Sequence, residues 1–308
     1  MKDVTISTYE ITKKFPNERS ARIYLEELRW DGNPICPYCG NDKIQTRCVE
    51  GYFRCLTCTE DFTVRTGTVM ERSHIPLNKW IMAMYLMVTA RKGISSLQLS
   101  KEIGITQKSA WFMLQRLRES CSNGHGTLQG IVEADECYIG GKESNKHNSK
   151  KLKAGRGTVG KTAVLGMRER NGVVKAMAIS GTDTDTIQKE IKGNVAPGST
   201  LCTDEHAAYK GMGEFTHLEV KHSAKEFVNG MAHTNGIESV WAVLKRGYNG
   251  TYHNFSTKHM RRYVDEFTFR LNEGKCKIPS MDRVDSLIQG MIGKTLSYEN
   301  LIDQSRPV

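Results

Sequence analysis

The sequence predicts an α/β protein in which a cysteine-rich module and a helical region precede a domain built on a mixed sheet. Two CxxC pairs lie between Cys36 and Cys58. From Leu77 onward, apolar residues recur at i, i+3 and i+4, which indicates helices. Beyond Ile131, short β-branched runs alternate with helical patterns, and this alternation is typical of an α/β domain.

The two CxxC pairs are separated by 15 residues. Each pair can sit on a tight turn that points both sulfurs at one ion, and four thiolates complete a tetrahedral zinc site with no open position. The pattern predicts one structural Zn²⁺, and we do not expect the intervening Cys48 to be a ligand. The predicted zinc ligands are Cys36, Cys39, Cys55 and Cys58.

Charge and composition predict a nucleic-acid partner. The net charge is +10 and the pI is about 9.1, and basic side chains that displace phosphate counterions supply much of nucleic-acid affinity. In a reducing compartment, nine cysteines, an odd number, argue against a disulfide framework and for metal ligation with a few buried thiols. The longest apolar run is shorter than the ~20 residues of a membrane helix, and the first residues lack the apolar core of a secretory signal. We therefore expect no membrane association.

Residues 95–118 are typical of a helix-turn-helix, in which a second helix presents polar side chains to the DNA major groove. Gly104 marks the predicted turn, and Thr106 is the predicted N-cap of the second helix. An ordinary helical hairpin is the alternative. The residues predicted to face the core are Ala110, Leu114 and Leu117. The side chains predicted to contact DNA are Gln107, Lys108, Gln115, Arg116 and Arg118.

The order of elements after residue 129 is the one that an RNase H-like mixed sheet needs. Ile131–Ile139 is predicted as the first strand, and the next two strands form a hairpin around Asn171 and Gly172. A helix, a strand, a short helix, a strand near Leu218–His222 and a longer helix from Asn235 follow. A last helix is predicted over residues 258–271.

Three acids occupy positions that ask for an explanation. Asp135 lies inside a strand, Asp204 ends a later strand, and Glu238 lies in the first turn of a helix. Gathered carboxylates repel one another unless divalent cations neutralise them. Two Mg²⁺ or Mn²⁺ ions ~3.5–4 Å apart can activate an attacking oxygen and stabilise the leaving oxygen of a phosphodiester. The three acids together predict such a site.

Each acid also has a non-catalytic interpretation. Asp135 fits a strand-edge acid, and Glu133 and Glu136 in the same strand compete with it for the catalytic role. The second acid fits a turn. Glu238, three residues after Asn235, fits a helix capping box. The catalytic interpretation is favoured because the acids occur together, on two strands and a helix.

Two basic residues accompany the third acid. Lys245 follows Glu238 by seven residues, nearly two helical turns, so both side chains are predicted on one face. A lysine beside a metal-binding acid can contact a DNA phosphate. We expect Lys245 and Arg246 to contact DNA, and a plain surface role is the alternative.

Four strings of residues resemble one branch of prokaryotic insertion-sequence transposases: CPYCG with CLTC, EADECYIGGK, TDEHAAY and HTNGIESVWAVLKR. The resemblance runs from about residue 20 to residue 272. It implies a zinc ribbon, a helix-turn-helix and a DDE-type RNase H-like domain. In that domain the acidic triad is Asp135, Asp204 and Glu238, and Lys245 is its basic partner. Supporting positions near the site are implied for His222, His233 and Asn235.

The resemblance implies a DNA transposase that binds element ends and carries out magnesium-dependent cleavage and strand transfer. Its partners are double-stranded DNA, as element ends and as target, and further copies of the chain in a homo-oligomeric DNA complex. The expected location is the prokaryotic cytoplasm, in association with the nucleoid. The predicted regions are 1–66 (helical segment and zinc ribbon), 67–125 (helix-turn-helix), 129–273 (catalytic domain) and 274–308 (helical tail).

Two other functions compete with this interpretation. One is an RNase H-like nuclease or resolvase without strand transfer, which has less need of two modules for binding specific ends. The other is a zinc-ribbon transcription factor with an inactive domain, which predicts the loss of a triad acid. All three acids are present.

Overall fold

The computed structural model describes residues 5–122, 126–141, 143, 146–152, 157–220, 233–274 and 278–303. The chain divides into two compact units, one of residues 1–123 with 273–307 and one of residues 124–272. The tail, predicted as a region of its own, is therefore part of the first unit.

In residues 1–123, the first unit contains α1 (Thr8–Lys14), α2 (Glu18–Trp30), β1 (Ile44–Thr46), β2 (Phe53–Cys55), β3 (Asp61–Phe62), α3 (Leu77–Thr89), α4 (Ser96–Ile103) and α5 (Gln107–Ser120). Those of the second unit are β4 (Ile131–Ile139), β5 (Thr162–Glu169), β6 (Val174–Ile179), α6 (Thr184–Asn194), β7 (Thr200–Thr203), β8 (Thr216–Glu219), α7 (Asn235–Gly247) and α8 (Met260–Glu273). The tail adds α9 (Ser280–Gln289) and α10 (Tyr298–Ile302). No helix in this described part has both the length and the apolar composition of a bilayer span.

The tail helices are held by the helices that precede them in the first unit. α9 packs against α2 and α3, and it buries Val284, Leu287 and Ile288. Helices of 10 and 5 residues are marginal on their own in water. The apolar face of α9 therefore explains why the tail joins a core instead of standing apart.

The first unit also contains a three-stranded antiparallel sheet in the order β1-β2-β3. Its core is an aromatic cluster in which the Trp30 ring lies 5.3 Å from the ring of Phe53 and 5.8 Å from that of Phe62. So small a core needs a further constraint to hold its shape, and a structural metal is one such constraint.

A mixed five-stranded sheet in the order β6-β5-β4-β7-β8 forms the centre of the second unit. β4, β5 and β6 form an antiparallel meander, whereas β7 and β8 run parallel to β4. The predicted first strand and the hairpin around Asn171 are both confirmed, and the mixed α/β sheet agrees with the predicted fold class.

Alternation along β4 separates two hydrophobic cores. Val132 and Ala134 face a core that includes residues of α6, whereas Cys137 and Ile139 face a core formed with α7 and α8. Because side chains alternate along a strand, Glu133 and Asp135 share the face of Cys137 and point toward α7. The strand thus directs two of its three acids at one helix.

The close approach of α7 to the sheet depends on Gly166 in β5. A Cβ atom at this position would lie 2.4 Å from the Trp241 ring and 2.9 Å from the Ile237 side chain. Only a residue without a side chain allows the indole to rest on the strand.

Three boundaries differ from the sequence prediction. β8 begins at Thr216 and ends at Glu219, so the predicted strand near Leu218–His222 lies too late, and residues 221–222 lie outside the described residues. α8 begins at Met260, because a short 3-10 turn precedes it. The N-cap of α7 is Thr234, so the capping-box interpretation with Asn235 as the cap is wrong.

We predict that Gly166→Ala lowers the free energy of unfolding by about 1–3 kcal/mol, because the added methyl group must displace the Trp241 ring. Urea unfolding measures the change. Gly193→Ala is the matched control, since a Cβ at this position of α6 meets nothing within 4 Å and alanine favours a helix by about 0.5–1 kcal/mol. Equal stability of the two variants would contradict the close-approach explanation.

Candidate functional site

The four predicted zinc ligands converge at one point of the first unit. The Sγ atoms of Cys36 and Cys58 lie 3.6 Å apart, as do those of Cys39 and Cys55. All four sulfurs lie within 4.8 Å of one another. A tetrahedral Zn²⁺ with Zn–S bonds of about 2.3 Å requires sulfurs roughly 3.8 Å apart. The cysteines therefore fit one zinc ion.

Backbone hydrogen bonds to Cys39, Cys55 and Cys58 favour the thiolate form that zinc requires, whereas burial and the neighbouring thiols raise the pKa of Cys39 and Cys58. Backbone N–H groups of Cys58 and then Thr57 donate to the Cys55 sulfur and lower the pKa of this thiol to about 6. With four protein ligands, the site is closed to substrate and suits a structural role. Cys48, which we did not expect to be a ligand, lies outside this group of four.

The sheet brings the first two predicted acids together. β4 and β7 are parallel neighbours in which Glu133 pairs with Cys202. Two residues further along the same register, Asp135 on β4 comes beside Asp204, which directly follows β7. The backbone N–H of His206 donates to Asp204 Oδ1 at 3.0 Å and orients this carboxylate.

The third acid reaches the same place from α7. Burial raises the pKa of Asp135 to about 6, and the negative charges of Asp204 and Glu238 act in the same direction. Hydrogen bonds from the Glu136 backbone and from the Trp241 indole oppose this rise. The charge of Asp135 is thus coupled to those of two acids that are 69 and 103 residues further along the chain.

Two side chains that sequence reasoning did not assign to the site orient its carboxylates. The indole Nε1 of Trp241 donates to Asp135 Oδ2 at 2.9 Å. The hydroxyl of Thr234 donates to Glu238 Oε1 at 3.2 Å. No signal in the sequence indicated the role of Trp241, because the indole and Asp135 are 106 residues apart in the chain.

The two competing acids of β4 have other partners. Glu133 is 1% exposed, and its carboxylate lies 3.3 Å from Arg170 Nε and 3.2 Å from His233 Nδ1. Glu136 lies on the opposite face of the strand, where its Oε1 is 3.8 Å from His206 Nδ1. Burial and then the Asp204 charge raise the pKa of Glu136 to about 7, against the Tyr209 hydroxyl and His206, which lower it.

The three residues that the resemblance placed near the site lie in different surroundings. His233 belongs to the Glu133 group, and Asn235 is the exposed first residue of α7. His222 lies outside the described residues.

Lys245 lies near β4, the strand that carries Asp135. Burial raises the pKa of the Cys137 thiol to about 11, while the Lys245 charge lowers it and the Asp135 charge raises it. The ammonium group is therefore close to the strand that carries the first acid. Lys245 and Arg246 are both exposed.

Three of the five side chains on α5 that were predicted to contact DNA are buried in the protein. Gln115 is 0% exposed and Arg118 is 1% exposed, and the Arg116 guanidinium donates to the Leu296 carbonyl at 3.0 Å. The residues that remain exposed for DNA are Gln107 and Lys108.

The tail explains part of this burial. The Tyr298 ring packs on Phe112 at 5.4 Å and lies 5.0 Å from Lys108 Nζ. The side chain of Lys294 donates to the Glu119 carbonyl at 3.1 Å. The tail thus covers a face of α5 that the predicted helix-turn-helix left to DNA, while Ala110, Leu114 and Leu117 face the core as predicted.

Comparison with known families assigns both parts of the chain. The family model described as the ISXO2-like transposase domain matches residues 127–272. The model described as the transposase zinc-ribbon domain matches residues 16–61. Together these segments cover more than half of the chain, and they contain the three acids and the four cysteines, respectively.

A relative and a solved structure were also found. An uncharacterised protein in transposable element ISH50 of Halobacterium salinarum is 29% identical over 274 residues, which is 84% of this chain and 92% of the relative. A cryo-EM structure of a simian T-cell lymphotropic virus intasome with the PP2A regulatory subunit B56 gamma aligns with 73% of this chain and 77% of its own, at 14% identity. Its TM-score of 0.29 supports no inference. The two family models and the relative agree, and the chain belongs to the insertion-sequence transposases that combine a transposase zinc ribbon with an ISXO2-like transposase domain.

Proposed function

We propose that this transposase binds the ends of its element and catalyses Mg²⁺-dependent DNA cleavage and strand transfer through Asp135, Asp204 and Glu238. The observation that supports the proposal most directly is geometric: the β4–β7 register brings Asp135 beside Asp204, and Trp241 of α7, the helix that carries Glu238, donates to Asp135. Three elements separated in sequence converge on a half-buried carboxyl, although convergence of like charges destabilises a fold. A site of this kind is most easily explained by the cations that it binds.

The donor set fits divalent cations that prefer oxygen. Carboxylates are the ligands that Mg²⁺ and Mn²⁺ favour. Among the described residues, the four cysteines form a group in which all ligand atoms lie within 4.8 Å of one another. The three acids, which lie in the described part of the chain as well, do not form such a group. A centre for two ions ~3.5–4 Å apart needs its carboxylates distributed around both ions instead of gathered around one. We assign two Mg²⁺ or Mn²⁺ ions to these three acids.

The reaction consists of two in-line displacements at phosphorus. In cleavage, the oxygen of water bonds to the phosphorus at the element end, and the 3′ oxygen leaves and takes up a proton. In strand transfer, that 3′-hydroxyl loses its proton and bonds to a target phosphorus, whose former 3′ oxygen leaves. Bound divalent ions supply charge stabilisation for the attacking and leaving oxygens. Trp241 and Thr234 hold two of the carboxylates in place.

We assign exposed basic and polar residues to the binding of the DNA substrate. Exposed Lys245 and Arg246 extend from α7 beside the acids, where a phosphate of the reacting strand can accept their hydrogen bonds. Gln107 and Lys108, at the start of α5, are assigned to the element end. Both ends must be processed together, so we expect the active form to be a homo-oligomer on DNA, located with the nucleoid in the cytoplasm.

The competing nuclease without strand transfer is separated by product analysis. Purified protein receives a DNA end with a free 3′-hydroxyl and a separate target plasmid in Mg²⁺. Joined products support the transposase, whereas nicking alone supports the nuclease. No metal-dependent product at all would favour a DNA-binding protein with an inactive domain.

We predict that Asp204→Asn and Glu238→Gln each lower the rate of DNA cleavage by roughly 100-fold or more, which corresponds to a loss of several kcal/mol of transition-state stabilisation. DNA binding, measured by gel shift, changes little because the exposed basic residues remain. Glu205→Gln, at an exposed acid adjacent to Asp204, is the control and retains cleavage. Full activity of either triad variant would refute the assignment.

We also predict that Asp135→Asn stabilises the protein when no divalent ion is present. The pKa of Asp135 is raised from its ordinary value of 3.8 to about 6, so the charge destabilises the folded state increasingly from about pH 4 to 6 and fully above pH 6. Urea unfolding at pH 8 is expected to show a gain of about 1–3 kcal/mol for the variant. This gain should vanish toward pH 4. A variant less stable than the wild type at pH 8 would contradict the electrostatic account.

A further inference from the structure

One peptide group at the start of α7 is held from both sides by the sheet. The Arg168 Nη1 atom donates to the Gly236 carbonyl at 2.6 Å. The N–H of Ile237 donates to Glu133 Oε2 at 3.0 Å. Both backbone atoms belong to the peptide bond between Gly236 and Ile237, so the sheet fixes its carbonyl and its N–H at once.

The two side chains come from one position of the sheet. Glu133 on β4 and Arg168 on β5 are direct partners in the antiparallel register. Arg168 also donates to Ser239 Oγ at 2.9 Å. The residues on both sides of Glu238 are therefore bonded to one cross-strand pair.

The neighbours of Glu133 compensate for the burial of its carboxylate. A buried, unpaired carboxylate is strongly disfavoured. Arg170 and His233 approach Glu133, and its position at the N-terminus of α7 also suits a negative charge. Glu133 thus remains available as an acceptor for the Ile237 N–H.

Gly236 is required for this contact. A Cβ atom at this position would lie 2.5 Å from Glu133 Oε2. Alanine is ordinarily much better than glycine within a helix. The glycine is explained by the close approach of the carboxylate to the helix backbone.

We propose that Glu133 and Arg168 are positioning residues that hold the Gly236–Ile237 peptide group and thereby set Glu238 opposite Asp135. We call this arrangement the α7 clamp. The inference rests on the proposed function, in which Glu238 binds a divalent ion. The clamp touches neither substrate nor metal; it acts through the backbone on both sides of Glu238.

The test uses the full chain and a variant that leaves no buried cavity. Arg168→Ala removes the carbonyl side of the clamp from a half-buried position. Lys175→Ala is the matched control, because Lys175 is a half-buried cation on the adjacent strand β6 that donates to Asn194 of α6 and not to α7. Gly236→Ala tests the same peptide group from the backbone side.

Two readouts do not depend on catalysis. Hydrogen–deuterium exchange of the segment 234–240 is expected to become faster in Arg168→Ala and in Gly236→Ala, but not in Lys175→Ala. Binding of Mn²⁺, followed by the electron paramagnetic resonance signal of the free ion, is expected to need roughly ten-fold more Mn²⁺ for half-saturation in the two clamp variants. DNA affinity is expected to stay unchanged.

Glu238→Gln distinguishes a failure of the α7 clamp from a failure of the proposed function. If it loses both Mn²⁺ binding and cleavage, and Arg168→Ala and Gly236→Ala behave like Lys175→Ala, the clamp is overturned while the proposed function stands. If Glu238→Gln binds Mn²⁺ and cleaves DNA like the wild type, the proposed function fails, and the clamp fails with it because no metal ligand remains to be positioned.

Discussion

The docking of α7 onto the faces of β4 and β5 is the constraint on which the site depends. Gly166 leaves room for the Trp241 ring, and the indole reaches across the interface to hold Asp135. Without that approach, the acid on the helix would have no fixed relation to the acids on the strands. A packing contact and a hydrogen bond from one side chain thus join the core of the domain to its chemistry.

The zinc-ribbon cysteines and the proposed acidic site are built in opposite ways. The cysteine sulfurs lie 3.6 Å apart in pairs, a closed arrangement that suits one structural ion. Asp135 lies within β4, Asp204 directly follows β7, and Glu238 lies in the first turn of α7. Burial raises the pKa of Asp135, and the charges of the other two acids act in the same direction. Such a site reduces the stability of the folded protein at neutral pH until cations neutralise it. The closed cysteine site suits a structural role in the first unit, and the more open acidic site suits the reaction proposed for the second unit.

The sequence was informative wherever a local pattern determines the outcome. The CxxC pairs, the strand Ile131–Ile139 and the N-cap at Thr106 depend on neighbours along the chain, and the structure shows all three. The burial of Arg116 could not be predicted, because the carbonyl to which it donates belongs to Leu296, 180 residues away in the chain. Glu133 shows the same limit. Alternation placed it on the face of Asp135, but only the register with β5 and the approach of α7 give it the Ile237 N–H as a partner.

The most direct test of the account is anomalous diffraction from crystals of the protein bound to its element end and soaked in Mn²⁺. Metal-dependent chemistry at the converged acids predicts two manganese peaks, roughly 3.5–4 Å apart, coordinated by Asp135, Asp204 and Glu238. Manganese bound elsewhere, or one of the three carboxylates directed away from the ions, would contradict the central claim.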